Sequence, residues 1–243
     1  MKTASLQYVL FSLTVVIFNT SCEHYYYQPS ANNVPLFKEK NEARIQLQSS
    51  GGNYLSGFDA QTAYAVGKHT GLQLNFFHTG DQGGSSSGQG NYIEAAVGYF
   101  TPLPADHWIF ETYAGIGHAT VVNTYGPSES SKFGMSKFFI QPDFGFRSKY
   151  FSIGVSSKFS LANYSLLSSS VQKSDFPYDV AEIEFLKNKS FLLWEPGIML
   201  RGGFEHVQLL VQATYCIPSS PDLKLDNVNI SLGIVAPFKI KAK

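Results

Sequence analysis

The sequence predicts an all-β protein: a transmembrane antiparallel up-and-down β-barrel of ten strands, with eight or twelve as the neighbouring possibilities. Three observations carry this. Beyond residue 41, apolar and polar residues alternate with period two in segments of about ten residues, the pattern of strands with one greasy and one polar face. The connections between these segments alternate between long and short, as outer-membrane barrels require. Charge is scarce: Asp, Glu, Lys and Arg make up 15% of the 243 residues, against about 25% in a typical soluble domain. The charges balance at 18 of each sign, and aromatics reach 15%. A neutral chain with so few ions has no electrostatic footprint for nucleic acid and is not disordered in the ordinary sense. Mean hydropathy is −0.07, the average expected when a greasy face and a polar face cancel.

The chain opens with Lys2 as a short positive region, and Val9 to Phe18 form an apolar stretch interrupted by Ser12 and Thr14. That is the length of a secretory signal and too short for a membrane-spanning helix. Asn19-Thr20-Ser21-Cys22 resembles the lipobox of bacterial lipoprotein signal peptides, departing from it at Asn19, where the motif usually carries Leu or Val. The resemblance implies cleavage before Cys22 and covalent lipid on its thiol and amine; no other cofactor is expected. Residues 1–21 are then a signal peptide, 22–41 a periplasmic tether and 42–243 the barrel domain. Cys216 is the only other cysteine, which leaves no disulfide framework and no metal-type cysteine cluster.

Ten segments follow in order: Ala43 to Ser49, Gly57 to Val66, Thr70 to Thr79, Asn91 to Thr101, Trp108 to Val121, Ser136 to Ser148, Phe151 to Leu161, Phe191 to Arg201, Val207 to Cys216 and Leu225 to Val235. The sixth shows the pattern best. Phe138, Ile140, Pro142, Phe144 and Phe146 share one face, while Gln141, Asp143, Gly145 and Arg147 share the other. The seventh repeats it, with Phe151, Ile153, Val155, Phe159 and Leu161 opposite Ser152, Gly154, Ser156, Lys158 and Ser160. Long connections include Gly80 to Gly90, Asn123 to Met135 and Ala162 to Ser190; short ones are Gly67 to His69, Pro102 to His107, Lys149 to Tyr150 and Gly202 to His206. With long loops outside and short turns inside, both termini of a ten-stranded barrel fall in the periplasm of a Gram-negative bacterium. Two aromatic girdles are expected: Tyr99, Phe100, Trp108, Phe146, Tyr150, Phe151, Phe204 and Phe238 near the turns, and Phe76, Tyr92, Phe138, Phe191, Trp194 and Tyr215 near the loops.

A secretory cysteine, a tether holding Gln28-Pro29-Ser30 and Asn33-Val34-Pro35-Leu36-Phe37-Lys38-Glu39-Lys40, and strands to the C-terminus together resemble the small outer-membrane β-barrel lipoproteins of the Bacteroidetes type. The resemblance implies a fold and a location, with no activity attached. One departure is the C-terminus, where Phe238 is followed by Lys239 to Lys243.

If the greasy face meets lipid, the other lines the lumen. It collects Arg44, Asp59, Glu94, Glu111, Asp143, Arg147, Lys158, Glu195 and Arg201. A Lys or Arg facing lipid at mid-bilayer costs roughly 2–4 kcal/mol, which accounts for their placement. Opposite signs are expected to pair into a network that plugs the lumen, supported by Gln46, Gln61, Gln73, Gln141, Gln212 and Tyr113. Gly115, Gly117, Gly145, Gly154, Gly197 and Gly233 then relieve crowding by bulky neighbours.

Catalytic groupings are thin. His69, His107 and His206 sit in turns, His78 and His118 approach the outer rim, and none shows metal-ligand spacing. Glu94 and Glu111 fall on adjacent strands as a pair of carboxylates, but with arginines nearby they read as structural. The leading expectation is a non-catalytic, monomeric barrel with a structural or surface-interaction role, its partners being outer-membrane lipids and an extracellular partner or glycan at loop 162–190. A narrow pore for ions or small solutes and an outer-membrane lipid-modifying enzyme are the alternatives.

Overall fold

The computed structural model describes residues 24–81, 87–104 and 107–240. The signal segment and Cys22 lie outside them. The strands are β1 (Glu42–Gly51), β2 (Ser56–Ala65), β3 (Thr70–Gly80), β4 (Ser87–Pro102), β5 (Trp108–Thr124), β6 (Ser130–Arg147), β7 (Phe151–Ser169), β8 (Ser190–Gly203), β9 (Gln208–Tyr215), the two-residue β10 (Ile217–Pro218) and β11 (Val228–Lys239). Each pairs antiparallel with its neighbour in sequence, β9 pairs with β11, and β11 returns to β1, so ten long strands close a ring. β10 continues the line of β9 along β8, with Ile217 opposite Trp194. Closure leaves no strand edge to be satisfied, the condition for a sheet in lipid.

All ten segments read from the alternation fall on these strands. Along β3 or β9, exposed and buried residues alternate one by one, and the exposed ones are the apolar ones, Leu72, Leu74 and Phe76 or Leu209 and Val211. Among the described strand residues, Lys132 is the charged side chain at an outward position, and it stands near the end of its strand. An outer wall of this kind belongs in hydrocarbon, with the crossing made by strands; no described helix is long and apolar enough to cross a membrane.

Four expectations need correction. First, β6 and β7 extend well past the belt into what reads as loop, because Phe133, Met135, Ala162 and Tyr164 keep alternating inward there. Between β7 and β8 lies a helix, α1 (Pro177–Leu186), with Pro177 in its first turn, where a missing N–H costs nothing, and Asp179 favoured by the helix dipole. Its Ile183 and Leu186 are buried over the long-loop mouth. Second, Phe100, Tyr92 and Phe191 are not girdle residues: strand parity turns them inward, where they are buried, while Tyr99, Trp108, Tyr150, Trp194 and Tyr215 stand outside as expected.

Third, the tether expected over 22–41 is not a tether where it is described. Every residue from His24 to Phe37 is buried, and the chain runs through the lumen before turning at residues 38–41 into β1. Fourth, the described chain therefore begins and ends at opposite mouths: His24 lies 2.9 Å from Thr124 O at the loop end, whereas Ile240 N donates to Asn41 O at the turn end.

A closed barrel of this kind resists detergent unless heated. Unboiled protein in a denaturing gel is expected to migrate faster than boiled protein; identical mobility would contradict the closed ring.

Candidate functional site: the lumen and the segment that fills it

An extended chain inside a barrel has no strand beside it for most of its length, so beyond Tyr27, whose carbonyl accepts from Asp226 N, its backbone polar groups need side-chain partners. The lumen wall supplies them. Asn229 Nδ2 donates to Pro29 O at 2.7 Å, Gln61 Nε2 to Ala31 O at 2.7 Å, and Gln212 Nε2 to Asn32 O at 2.7 Å. Asn33 O accepts from both Gln73 Nε2 (3.1 Å) and Gln141 Nε2 (2.8 Å). Further down, Arg201 Nη2 donates to Pro35 O at 3.1 Å, and Leu36 O accepts from Arg147 Nη1 at 2.9 Å and Arg44 Nη2 at 3.4 Å. The segment's own amides reach outward: Asn32 Nδ2 donates to Ser156 Oγ and Glu195 O, both at 2.9 Å, and Asn33 Nδ2 to Asn75 Oδ1 at 2.7 Å.

The nine expected lumen ions all occupy the inner face; eight are buried and Arg147 is half-buried. Seven of them fall into two clusters rather than one network. Toward the loop end, Glu94 takes Lys137 Nζ at 2.5 Å and Lys158 Nζ at 3.2 Å, and Lys137 also lies 3.6 Å from Glu195. Tyr27 ties the segment in, donating to Glu195 Oε1 at 2.5 Å and accepting from Lys137 Nζ at 3.0 Å. Lys158 and Lys137 also stand 5.1 and 6.0 Å from the Phe139 ring centre, within cation–π range. Lys137 was missed in the sequence reading, although it shares the period-two face of Phe139, Gln141 and Asp143.

The second cluster grips the turn end. Glu111 accepts from Leu36 N at 2.8 Å and Phe37 N at 2.6 Å. Glu42 takes Arg147 at 2.7 Å and Lys38 N at 3.0 Å. The expected pairing of ions is thus corrected here: Glu111 accepts from two backbone amides, and Arg44 and Arg201 each give one guanidinium nitrogen to a backbone carbonyl of Pro35 or Leu36. Asp143 accepts from Gln141 Nε2 at 3.0 Å, and neither it nor Asp59 joins an ion pair among the described residues. Leu36 sits at φ +56, a conformation that costs a bulky residue roughly 1–3 kcal/mol. The double acceptor beneath its N–H and the three arginines around it hold it there.

Apolar side chains complete the seat. Val34 and Leu36 join Ile109, Met199, Leu210 and Val235, while Phe37 packs on Phe100 at 5.5 Å. Gly145 is required: a Cβ there would stand 2.6 Å from Ile153 O and 2.8 Å from the Leu36 methyls. At the other end, Tyr26 and Tyr27 enter an aromatic core with Tyr92, Tyr125, Phe133, Tyr164, Phe191 and the buried face of α1. Burial there holds the Tyr125 phenol above its ordinary range.

Glu94 and Glu111 do not form a carboxylate pair. Glu94 lies opposite Gly117, six residues along β5 from Glu111, or about 20 Å at strand rise. His118 is exposed and His78 bonds Asn91 Oδ1 at 2.9 Å on the exposed side.

No protein-family model matches the sequence, and no curated protein matches it. Among solved structures, the chain is similar to the translocator domain of autotransporter NalP from Neisseria meningitidis, with TM-score 0.48 and 11% identity over 98% of this chain and 96% of that one. It is similar also to outer membrane phospholipase A from Escherichia coli, with TM-score 0.27 and 11% identity over 83% and 94%. At these values neither likeness speaks to activity.

Removing one partner of a buried charged contact costs roughly 3–5 kcal/mol. Glu111→Ala and Glu94→Ala are each expected to lower the unfolding free energy in detergent by that order, read as a lowered unfolding midpoint, with Glu111→Gln intermediate because it keeps one acceptor. An unchanged midpoint for both alanine variants would remove the two clusters as supports of the structure.

Proposed function

We propose that the protein is a lipid-anchored barrel of the Gram-negative outer membrane, non-catalytic and closed by its own N-terminal segment, with a structural or surface-interaction role. The observation that carries this is the course of residues 24–37 through the lumen, with wall side chains from seven strands, β1, β2, β3, β6, β8, β9 and β11, bonding its carbonyls. A ten-stranded lumen is only slightly wider than one that side chains alone fill, so an additional chain occupies the space a solute would use. The two carboxylates that read as a pair in the sequence are committed: Glu111 to two backbone amides, Glu94 to two lysines. The apolar wall favours lipid as the surrounding partner, and the lipobox-like Asn19 to Cys22 favours an acyl anchor. The long-loop mouth, with α1 over it, is the surface available to an outside partner or glycan.

Planar-bilayer recordings test the closed lumen. The full chain is expected to show no stable conductance, and a variant lacking residues 24–37 that still forms the barrel is expected to open. Reproducible channels from the full chain would favour the narrow-pore reading instead.

A further inference from the structure

The turn-end mouth of the barrel carries more positive than negative charge, and the excess sits on its floor. Two adjoining recesses of about 290 and 160 Å³ open there and share Arg44, Arg147, Glu205 and Pro237 as walls. Each carboxylate that borders them is matched to a cation: Glu42 to Arg147 at 2.7 Å, Glu39 to Lys239 at 2.8 Å and Glu205 to Lys149 at 3.4 Å. Arg44, which borders both recesses although it is nearly buried, is left over. Among the described residues it joins no ion pair, and its hydrogen bond is the 3.4 Å contact from Nη2 to Leu36 O. Arg201 adds to the excess from β8: it is buried, its Nη2 reaches Pro35 O, and its Nε and Nη1 have no partner among the described residues. Glu111, the other carboxylate of this cluster, gives its oxygens to Leu36 N and Phe37 N. Three guanidinium groups thus face two carboxylates, and a buried cation without a matching anion is unfavourable.

The arrangement also selects the shape of the missing anion. Arg44 on β1 and Arg147 on β6 come from opposite sides of the ten-strand ring and converge on one atom, Leu36 O, so their guanidinium groups stand side by side. A guanidinium presents its donors as a planar fork that matches carboxylate and phosphate oxygens. A carboxylate offers two oxygens in one plane, whereas a phosphate group offers oxygens on several sides and so suits forks that arrive from facing walls. We infer that the turn-end recess binds one phosphate group, held by Arg44 with Arg147 beside it. This assigns the mouth a ligand, which the structural role above does not. The larger recess admits a phosphate with or without a substituent, so inorganic phosphate and the phosphate of a lipid headgroup meet the same donors.

The test uses the full chain in detergent, with heat-shifted gel mobility confirming that each variant folds. Inorganic phosphate is titrated calorimetrically at constant ionic strength, and phosphatidylglycerol in mixed micelles is scored by native mass spectrometry. The expected result is one saturable site per barrel for at least one of the two probes, weakened about tenfold or more by Arg44→Gln, which removes both the fork and its charge. Binding of inorganic phosphate shows that the free ion suffices; binding of phosphatidylglycerol alone identifies a headgroup as the source. Saturable binding of neither probe overturns the inference, and so does binding that Arg44→Gln leaves unchanged. If Arg44→Gln does not fold, Arg44→Lys decides the matter: it keeps the buried charge and loses the fork, so affinity is expected to fall severalfold, and an unchanged affinity overturns the site.

Discussion

A strand of chain with no sheet to join must find partners for its peptide groups, and in this protein that constraint shapes the barrel's interior. The side chains that face the lumen are chosen less for each other than for the carbonyls of residues 29–36. Glutamine and asparagine suit the middle of the segment, since one amide can donate to a carbonyl while remaining neutral in a confined space. Arginine suits the lower end, where Pro35 and Leu36 offer adjacent carbonyls to three guanidinium groups. Because the segment is covalently continuous with β1, its local concentration in the lumen is high without any external ligand.

The charged groups divide along the same axis. The upper cluster balances two carboxylates against two lysines and uses Tyr27 as the neutral link to the segment. The lower cluster sets three arginines against Glu42 and Glu111 and completes itself with backbone dipoles. A buried ion pair is weak evidence of stability by itself, because desolvation offsets much of its attraction. What such groups supply here is position: remove the segment, and Arg44, Arg201 and Glu111 lose the hydrogen-bond partners that the structure gives them. The interior is therefore built for occupancy.

Much of this architecture was legible in the sequence. The strands could be read because lipid outside and polar groups inside impose opposite demands on alternate residues, a contrast that survives in segments such as Phe138 to Arg147 and Phe151 to Leu161. The lumen ions followed by parity. The occupant of the lumen was harder to see, since it is an irregular chain whose partners lie 8 to 200 residues away in sequence. A signal was present even so: residues 24–37 carry no Asp, Glu, Lys or Arg, yet hold three tyrosines, Val34, Leu36 and Phe37, a composition suited to burial and poorly suited to a solvated tether. The same parity that turned Glu111 inward also turned Phe100, Tyr92 and Phe191 inward, and reading aromatics by their height along the wall alone placed those three on the wrong face.

The most direct measurement of the central claim is a covalent one. Val34 in the segment and Gly154 on β7 face each other, a Cβ at position 154 falling 3.0 Å from Val34 Cγ1, within the range where a disulfide can close. In membranes carrying Val34→Cys with Gly154→Cys, mild oxidation should link the two positions, detectable as a crosslinked peptide by mass spectrometry. Two free, maleimide-reactive thiols in the folded, heat-shifting barrel would show that the N-terminal segment does not lie in the lumen.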